Sequence, residues 1–325
     1  MHRWDNRLLP PSPGVAPTRP GAGPGTFTRR QLGSAQWRRV DYGLYVPAHT
    51  ADSISQRIVE AAARLPGYGA VGGWAAAYWR GARLLDGMEA GSPGPVLLCL
   101  GPCGKIRKHP AVILSRARLT DSDVAEARGL PVTTAVRTAF DGARLAPTLV
   151  QAVVFLDMML SSGLLSKEEL AAYLPEHRPA WKGVGQARKA LELADSAAKS
   201  PAETRLRMLW MLTAGLPRPL VNRPVFSLDG HLLGIPDLLE PESGTVGEYD
   251  GEDHRELESH TSDNAREEEL EDHGLVVTRV TALDMRRRDV TVQRLTRAWS
   301  RGMSRDRRRD RWTLDQPDWY LRWAA

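Results

Sequence analysis

The segment GIPDLLEPESGTVGEYDGEDH, residues 234–254, places acidic residues inside runs that otherwise have the pattern of β-strands. Strands disfavour Asp and Glu, so these positions restrict the possible folds strongly. The PESG turn at 241–244 predicts a hairpin between the two runs. Side chains alternate between the two faces of a strand, so Asp237 of the first run and Glu248 and Asp250 of the second are expected to share one face.

Three carboxylates on one face of a hairpin repel one another. At ~4 Å and an effective dielectric constant near 20, one such pair costs about 4 kcal/mol. Protonation of one group or a divalent cation relieves the repulsion. Hard oxygen ligands suit Mg²⁺ (or Mn²⁺), so Asp237, Glu248 and Asp250 are predicted to bind this metal. The alternative is that Glu248 and Asp250 lie on a solvated face of an edge strand.

The charge of the chain agrees with an anionic partner but does not require one. The 325 residues are enough for two domains, and 44 Lys and Arg against 39 Asp and Glu leave a formal net charge of +5. Nearly all the basic residues are Arg, whose planar guanidinium pairs with phosphate through two hydrogen bonds. A GC-rich genome, which encodes Arg in place of Lys, explains the same composition.

The two cysteines and the hydropathy pattern exclude several classes of protein. Cys99 and Cys103 have no second pair beside them, so a structural zinc site is not expected, and we predict a reduced strand-end cysteine and a turn cysteine. No apolar run has the length needed to cross a bilayer. The sequence therefore predicts a cytoplasmic protein with no membrane partner.

The first part of the chain divides by composition. Residues 1–25 are rich in Pro and Gly and are predicted to be a disordered leader. Residues 26–90 begin with a short helix capped at Thr26 or Thr28, and then a β-ribbon, WRRVDYGLYVP, which is typical of the end of a winged helix. Residues 91–175 form a middle domain of alternating strands and helices, in which Ser166 and Glu169 predict a capping box.

The second part has a regular order of elements. The patterns predict a helix, three strands, a helix, a strand and a helix, at 200–214, 219–228, 231–239, 244–250, 256–273, 274–281 and 283–300. A basic, Trp-rich tail, 301–325, follows and is expected to be mobile. Its tryptophans either stack on nucleic-acid bases or dock the tail on the protein.

This second part resembles the PD-(D/E)XK nuclease superfamily over residues 198–300. The residues that carry the resemblance are the PD-x10-E-x-D-G string beginning at Pro236, the helix SPAETRLRMLW, and the segments SDNAREEELEDHG and LVVTRVT. More narrowly, they are similar to the DUF559 proteins and the very-short-patch-repair (Vsr) endonucleases. The resemblance implies a restriction-endonuclease-like αβββαβ core that cleaves DNA with Mg²⁺.

The resemblance also implies roles for individual residues. Asp237 and Glu248 would be metal ligands, with Asp250 as a third carboxylate and Glu203 completing the site from the first helix. Glu203 is equally explained as part of a helix cap after Ser200. His254 would activate water or contact a phosphate, or it is simply exposed. The superfamily usually has a lysine two residues after the glutamate, where this chain has Asp250.

The first part resembles the AbiEi-like antitoxins of type IV toxin–antitoxin systems. The matching strings are FTRRQL, WRRVDYGLYVP and GLPVTTAVRTAFDGARL. Together the two resemblances imply an α+β chain, in which a degenerate winged helix and a mixed α/β middle domain precede the nuclease core. Arg137 and Asp141, four residues apart, are most simply an intrahelical ion pair worth a few tenths of a kcal/mol.

Two functions follow from these resemblances. The first is a metal-dependent DNA endonuclease, and the alternative is a non-catalytic DNA-binding antitoxin or transcriptional regulator with a toxin as partner. In both cases DNA is the expected partner, and phosphate contacts position the protein without reading the sequence. The arginines predicted to contact DNA are Arg29, Arg30, Arg38, Arg39, Arg266 and Arg279, with a solvated basic face as the alternative for the first four. The arginines between 286 and 311 are expected to follow the DNA backbone.

Overall fold

The computed structural model describes residues 14–21, 26–89, 91–174, 181–251 and 266–324. The chain falls into two compact units, which divide between Ala194 and Asp195. Both units combine helices with small β-sheets, so the fold is mixed α+β. In these ranges, no helix is both long enough and apolar enough to cross a membrane.

The first unit begins with the predicted short helix and β-ribbon. Helix α1 (Arg29–Leu32) is capped by the Thr28 side chain. Strands β1 (Trp37–Asp41) and β2 (Leu44–Pro47) then form an antiparallel hairpin. With four residues, α1 is about one turn long.

Part of the predicted disordered leader is held against this unit. Thr18 forms a β-bridge with Tyr45. The Val15 N–H donates to Gln56 Oε1 at 2.7 Å, and Gln56 Nε2 donates to the Val15 carbonyl at 3.1 Å. The prediction of disorder over 1–25 was therefore wrong for 14–21, because backbone hydrogen bonds tie down a segment with little apolar surface; residues 1–13 and 22–25 lie outside the described ranges.

A five-stranded sheet forms the centre of the first unit. Its strands are β3 (Ala70–Gly72), β6 (Val96–Cys99), β7 (Val112–Ser115), β8 (Val124–Ala127) and β9 (Leu130–Thr133), and β4 (Met88–Glu89) and β5 (Ser92–Pro93) form a separate ribbon. The order β7-β6-β3-β9-β8 makes β7 an edge strand. Helices α2 (Ile54–Ala62) and α3 (Gly73–Arg80) supply core residues such as Ile58 and Trp79, as their apolar spacing predicts.

Four further helices complete this unit: α4 (Ala135–Leu145), α5 (Leu149–Ser161), α6 (Lys167–Tyr173) and α7 (Val184–Leu193). The predicted capping box at the start of α6 is confirmed, since Ser166 and Glu169 each accept a hydrogen bond from the other's backbone N–H. Cys99 ends β6 and is buried, whereas Cys103 is exposed in a turn, and both are free thiols.

The predicted intrahelical ion pair of Arg137 and Asp141 is confirmed, but it is buried. Both side chains are fully buried, with Arg137 Nε 2.7 Å from Asp141 Oδ2. Arg137 also donates to Asp123 at 2.9 Å, and Arg144 donates to Asp141 at 2.6 Å. Four charged groups from α4 and the turn before β8 thus form one buried network, so the estimate of a few tenths of a kcal/mol does not apply.

The second unit is built on a four-stranded sheet. Helix α8 (Pro201–Met208) continues as a π-helical turn, Leu209–Thr213, and precedes the strands β10 (Leu220–Val221), β13 (Leu238–Glu240), β14 (Thr245–Asp250) and β15 (Val276–Thr281). Their order in the sheet is β10-β13-β14-β15. The pairs β10–β13 and β13–β14 are antiparallel. The helix α9 (266–272) then leads to β15, which pairs with β14 in parallel.

Two strands predicted from the sequence are each divided between two sheets. The predicted strand 219–228 contributes β10 to the main sheet and β11 (Val225–Ser227) to a second sheet. The predicted strand 231–239 likewise splits into β12 (Leu232–Gly234) and β13. The breaks fall at Pro224 and Pro236, which lack the N–H that a central strand must donate.

The tail is folded onto the second sheet, contrary to the expectation that it is mobile. After α10 (Ala282–Arg286) and α11 (Arg288–Met303), the strand β16 (Trp312–Thr313) pairs with β11. Helix α12 (Asp318–Ala324) follows, and the Tyr320 ring lies 5.0 Å from that of Phe226. The Trp319 indole N–H donates to the Gly230 carbonyl at 3.0 Å. For Trp312 and Trp319, docking is the role that the structure supports.

Gly302 marks the closest approach of α11 to the β13–β14 turn. A Cβ there would lie 2.5 Å from the Ser243 carbonyl oxygen and 2.8 Å from Thr245 Oγ1. Ala normally stabilises a helix by about 1 kcal/mol relative to Gly. We expect Gly302→Ala to do the opposite and to lower the free energy of unfolding by about 2 kcal/mol, because the helix must move away.

Urea denaturation followed by circular dichroism measures this effect. Gly185→Ala in α7 is the matched control, because no heavy atom lies within 4 Å of a Cβ at that position. We expect this control to be neutral or to stabilise by about 0.5 kcal/mol. Similar shifts of both variants in the same direction would contradict the close packing at Gly302.

Candidate active site

The register of the β13–β14 hairpin places Asp237 and Glu248 on the same face of the sheet. Leu239 and Val246 are register partners and both belong to the apolar core. Asp237 precedes Leu239 by two residues, and Glu248 follows Val246 by two, so each carboxylate extends the same face as its apolar neighbour. The predicted hairpin is confirmed, and the two carboxylates lie where its apolar face ends.

Asp237 is the most perturbed carboxylate of this site. Its Oδ2 accepts a hydrogen bond of 2.8 Å from the Tyr249 N–H of the neighbouring strand. Burial, followed by the negative charges of Glu203 and Glu248, raises the pKa of Asp237 to about 7, although the Tyr249 hydrogen bond and the charge of Lys199 act in the opposite direction. The Asp237 carboxylate therefore needs either a proton or a cation near neutral pH.

Glu203 reaches this region from the first turn of α8 and is 8% exposed. Ser200 caps the helix by accepting from the Glu203 N–H at 3.1 Å. The Glu203 side chain in turn accepts from the Lys199 N–H at 2.9 Å and from the Asn222 side-chain amide at 2.8 Å. The structure supports the role of Glu203 at the helix start, and its negative charge also raises the pKa of Asp237; its role as a metal ligand stays a prediction.

Asn222 is a residue of this site that the sequence did not single out. It has a positive φ of 49°, a conformation that Asn tolerates better than most residues. Its backbone N–H donates to the Asp237 carbonyl at 3.0 Å, while its side chain donates to Glu203. Asn222 therefore joins α8 to the start of β13. In the sequence, the only local signal for its left-handed backbone conformation was an Asn that precedes Arg-Pro.

Glu248 is neutralised by two arginines of this chain. Arg266 of α9 donates to Glu248 Oε1 at 2.7 Å. Arg279 is the register partner of Glu248 on β15, and its Nε lies 3.9 Å from Glu248 Oε2 and 2.9 Å from Glu267 Oε2. Both arginines were predicted to contact DNA. The structure places them against the site carboxylates, with Arg266 still 40% exposed.

The three predicted metal ligands are not assembled into one group. Asp250 is at the exposed end of β14 and is the register partner of Thr281. Across the described ranges, no cluster of three His, Cys, Asp or Glu side chains has the geometry to hold a metal ion. The ion pairs of Glu248 reduce the repulsion that led to the prediction, and burial and the neighbouring acids raise the pKa of Asp237 to about 7, so that protonation of Asp237 reduces it further below that pH. His254 lies outside the described residues.

The arginines predicted to contact DNA in the first unit are in different environments. Arg29 and Arg30 are exposed on α1. Arg38 is in an ion pair with Glu60 at 2.6 Å, and Arg39 is exposed with its Nε donating to the Asp41 carbonyl at 3.2 Å. Part of the positive charge of this predicted contact is therefore already paired within the protein.

Several arginines near the C-terminus are used to hold the tail. Arg305 donates to the Gly274 carbonyl, and Arg307 pairs with Asp310 and donates to the Glu242 carbonyl. Arg311 donates to the Asp272 carbonyl at 2.6 Å. These side chains are part of the fold of the second unit, which reduces the number available to a DNA backbone.

Comparisons of the chain with protein-family models, with curated proteins and with solved structures found no match.

Proposed function

We propose that the second unit is a metal-dependent endonuclease that hydrolyses DNA phosphodiester bonds. The observation that carries the proposal is Asp237, a carboxylate with a raised pKa held between Glu203 and Glu248 at the end of a hairpin. Strongly perturbed carboxylates of this kind concentrate at catalytic sites. Within the main sheet, the strands β10, β13 and β14 after α8, and the parallel strand β15 after α9, are the order expected for the αβββαβ core of PD-(D/E)XK nucleases, whereas β11 and β12 belong to a second sheet.

The oxygen-rich donor set fits Mg²⁺ or Mn²⁺. Mg²⁺ in phosphoryl-transfer sites is commonly bound by one or two carboxylates, with waters and substrate phosphates completing the shell. Asp237 and Glu248 would provide those carboxylates, with Glu203 close to Asp237. A bound ion of this type polarises a phosphoryl oxygen and lowers the pKa of a bound water.

The other groups of the site position the carboxylates and the substrate. The Tyr249 N–H fixes one oxygen of Asp237. Asn222 fixes Glu203 and the backbone of Asp237. Arg266 holds Glu248, and its 40% exposed side chain would be accessible to a DNA phosphate.

Cleavage of supercoiled plasmid, mismatched duplex and single-stranded DNA with Mg²⁺ or Mn²⁺ tests this function. We expect Asp237→Asn and Glu248→Gln each to reduce cleavage by on the order of 1,000-fold, because each removes a carboxylate that would hold the metal ion. Asp250→Asn is the matched control, since this carboxylate lies at the exposed strand end, and it should retain cleavage within about threefold.

Binding to DNA is measured in parallel by fluorescence anisotropy with EDTA. Asp237→Asn should bind at least as well as the wild type, because a negative charge has been removed from the site. Cleavage that persists at the wild-type rate in Asp237→Asn, or no cleavage of any of the three substrates, would reject the endonuclease.

The ion pairs of Glu248 favour a second candidate function, a non-catalytic DNA-binding regulator of the antitoxin type. With Arg266 and Arg279 in place, Glu248 is neutralised without a metal. Asp250 also stands at the position where the superfamily that this unit resembles usually has a lysine. A gel-shift assay without metal on the protein's own promoter and on an unrelated duplex of the same length distinguishes the two functions. The regulator prefers its promoter, and Asp237→Asn keeps that preference, whereas failure to bind the promoter counts against the regulator.

A further inference from the structure

A cluster of positive charge lies at one edge of the five-stranded sheet of the first unit. Residues 101–120 contain five Lys and Arg and no Asp or Glu, so their formal charge equals the +5 of the whole chain. They comprise the loop before the edge strand β7, β7 itself and the segment that follows it, with three of the basic residues before the strand and two after it. The five basic residues are Lys105, Arg107, Lys108, Arg116 and Arg118, and we refer to them as the basic edge.

These side chains face solvent. All five residues of the basic edge are exposed. Within the described part of the chain, none of the five is in a salt bridge with Asp or Glu. Arg116 is held by a hydrogen bond of 2.7 Å to the Gly104 carbonyl, which fixes the loop against the end of β7. The basic edge therefore keeps its charge available, unlike Arg38.

An open pocket of about 540 Å³ lies along the basic edge. It is lined by Lys108, His109, Pro110, Val112, Leu114 and Arg116. The wall is basic and the remainder is largely apolar, so a phosphate can pair with Lys108 or Arg116 while a sugar or base contacts the apolar residues. Near this pocket, burial raises the pKa of Asp41 of β1, but hydrogen bonds from the Tyr42 N–H and from Arg64, together with the charges of Arg64 and His109, lower it overall.

We infer that the basic edge and its pocket bind the sugar–phosphate backbone of DNA. DNA is named as the ligand because this inference rests on the proposed endonuclease, whose activity requires the chain to bind DNA phosphates. The contact is made through charge and carries no base specificity, because phosphates are the same at every position of the sequence. It replaces α1 and the β1–β2 ribbon as the main phosphate-binding surface of the first unit.

Anisotropy with a fluorescent 20-base-pair DNA duplex tests the inference on the full chain in EDTA, between 50 and 300 mM KCl. The test variant is Lys105→Gln/Arg107→Gln/Lys108→Gln. Each lost phosphate contact reduces the slope of log K against log[salt] by about 0.9, so the slope should become shallower by about 2.7, with affinity at 100 mM salt lower on the order of 10- to 100-fold.

The matched control is Lys182→Gln/Arg188→Gln/Lys189→Gln, which removes the same charge from exposed positions before α7 and in its middle. It should leave the salt slope unchanged within about 0.5. Arg116→Gln alone should reduce the slope by about 1, as expected for one pocket contact. Equal slopes for the basic-edge variant and the control would overturn the inference, as would tighter binding to the same 20-mer made of RNA.

This result is independent of whether the second unit cleaves. A shallower slope in the basic-edge variant supports the inference even if the wild type cuts no DNA, because the measurement is made without metal. Conversely, if Asp237→Asn abolishes cleavage while the basic-edge variant binds like the wild type, the endonuclease stands and the phosphate surface does not.

Discussion

Asp237→Asn is expected to stabilise the metal-free protein by up to about 4 kcal/mol at pH 8, and to change its stability little at pH 4. In the folded chain the pKa of Asp237 is raised to about 7 from an ordinary value of 3.8. The folded state therefore holds this proton more tightly than the unfolded state. The contribution of this proton to the free energy of unfolding is fully present below about pH 4 and is lost as the pH rises through 7. Each unit of difference between the folded and unfolded pKa corresponds to about 1.4 kcal/mol. Asparagine carries no charge to desolvate, so the variant escapes this loss.

Urea denaturation of both proteins in EDTA at pH 4, 6 and 8 measures the difference. The Asn carbonyl can still accept the Tyr249 N–H that Asp237 accepts now, so the local fold should be kept. A variant that is no more stable than the wild type at pH 8 would show that the Asp237 carboxylate is not desolvated. Asp250→Asn, at the exposed end of β14, serves as the control and should show no such pH dependence.

Addition of Mg²⁺ extends the same experiment to the proposed metal site. A ligand that binds only the folded state stabilises it by RT ln(1 + [L]/Kd), which is about 1.4 kcal/mol at ten times Kd. We expect Mg²⁺ to stabilise the wild type at pH 8 by at least this amount and to leave Asp237→Asn unchanged. Equal stabilisation of both proteins would place the metal elsewhere.

Asp141→Ala is expected to be among the most destabilising single substitutions in the first unit, by about 3 to 5 kcal/mol. Asp141 is fully buried and accepts from Arg137 at 2.7 Å and from Arg144 at 2.6 Å. Burial lowers the pKa of Arg137, but the charges of Asp141 and Asp123 more than compensate and raise it. Removing Asp141 leaves two buried guanidinium groups with one carboxylate, Asp123.

Thermal and urea denaturation of the full chain measure this effect. Glu192→Ala is the control, because it removes a carboxylate from an i,i+3 pair with Lys189 in which both side chains are more than half exposed. Such a pair contributes less than about 1 kcal/mol. The double variant Asp141→Ala/Arg144→Met should recover part of the loss, since it removes one acid and one base together. A loss below 1 kcal/mol for Asp141→Ala would show that water screens the network.

The local pattern of residues was sufficient to predict the elements that carry the site. Alternation places Asp237 with Leu239 and Glu248 with Val246, and the PESG turn joins the two strands, so the shared face followed from adjacent residues. The capping box at Ser166 was predicted for the same reason, because it depends on positions three residues apart. These features depend on the geometry of one strand or one turn of helix.

Other features could not be predicted from the sequence, because they depend on contacts between residues that are far apart along the chain. Charge composition could not show that Arg266 and Arg279 neutralise Glu248, because those contacts join separate elements of the sheet and α9. A spacing of four residues, such as that of Arg137 and Asp141, occurs equally on surface helices and on core helices. Only the packing of α4 among its neighbours shows that this ion pair is buried. Nor could a basic composition show that the tail pairs with β11.

The sequence by itself therefore determined the α+β composition, the hairpin and the approach of Asp237 to Glu248. The tertiary structure decided how their charges are balanced, by burial and a raised pKa at Asp237 and by arginines at Glu248. The physical reason is one of range. Backbone periodicity is set by neighbouring residues, whereas the electrostatic energy of a carboxylate is set by every charge and by the amount of water around it.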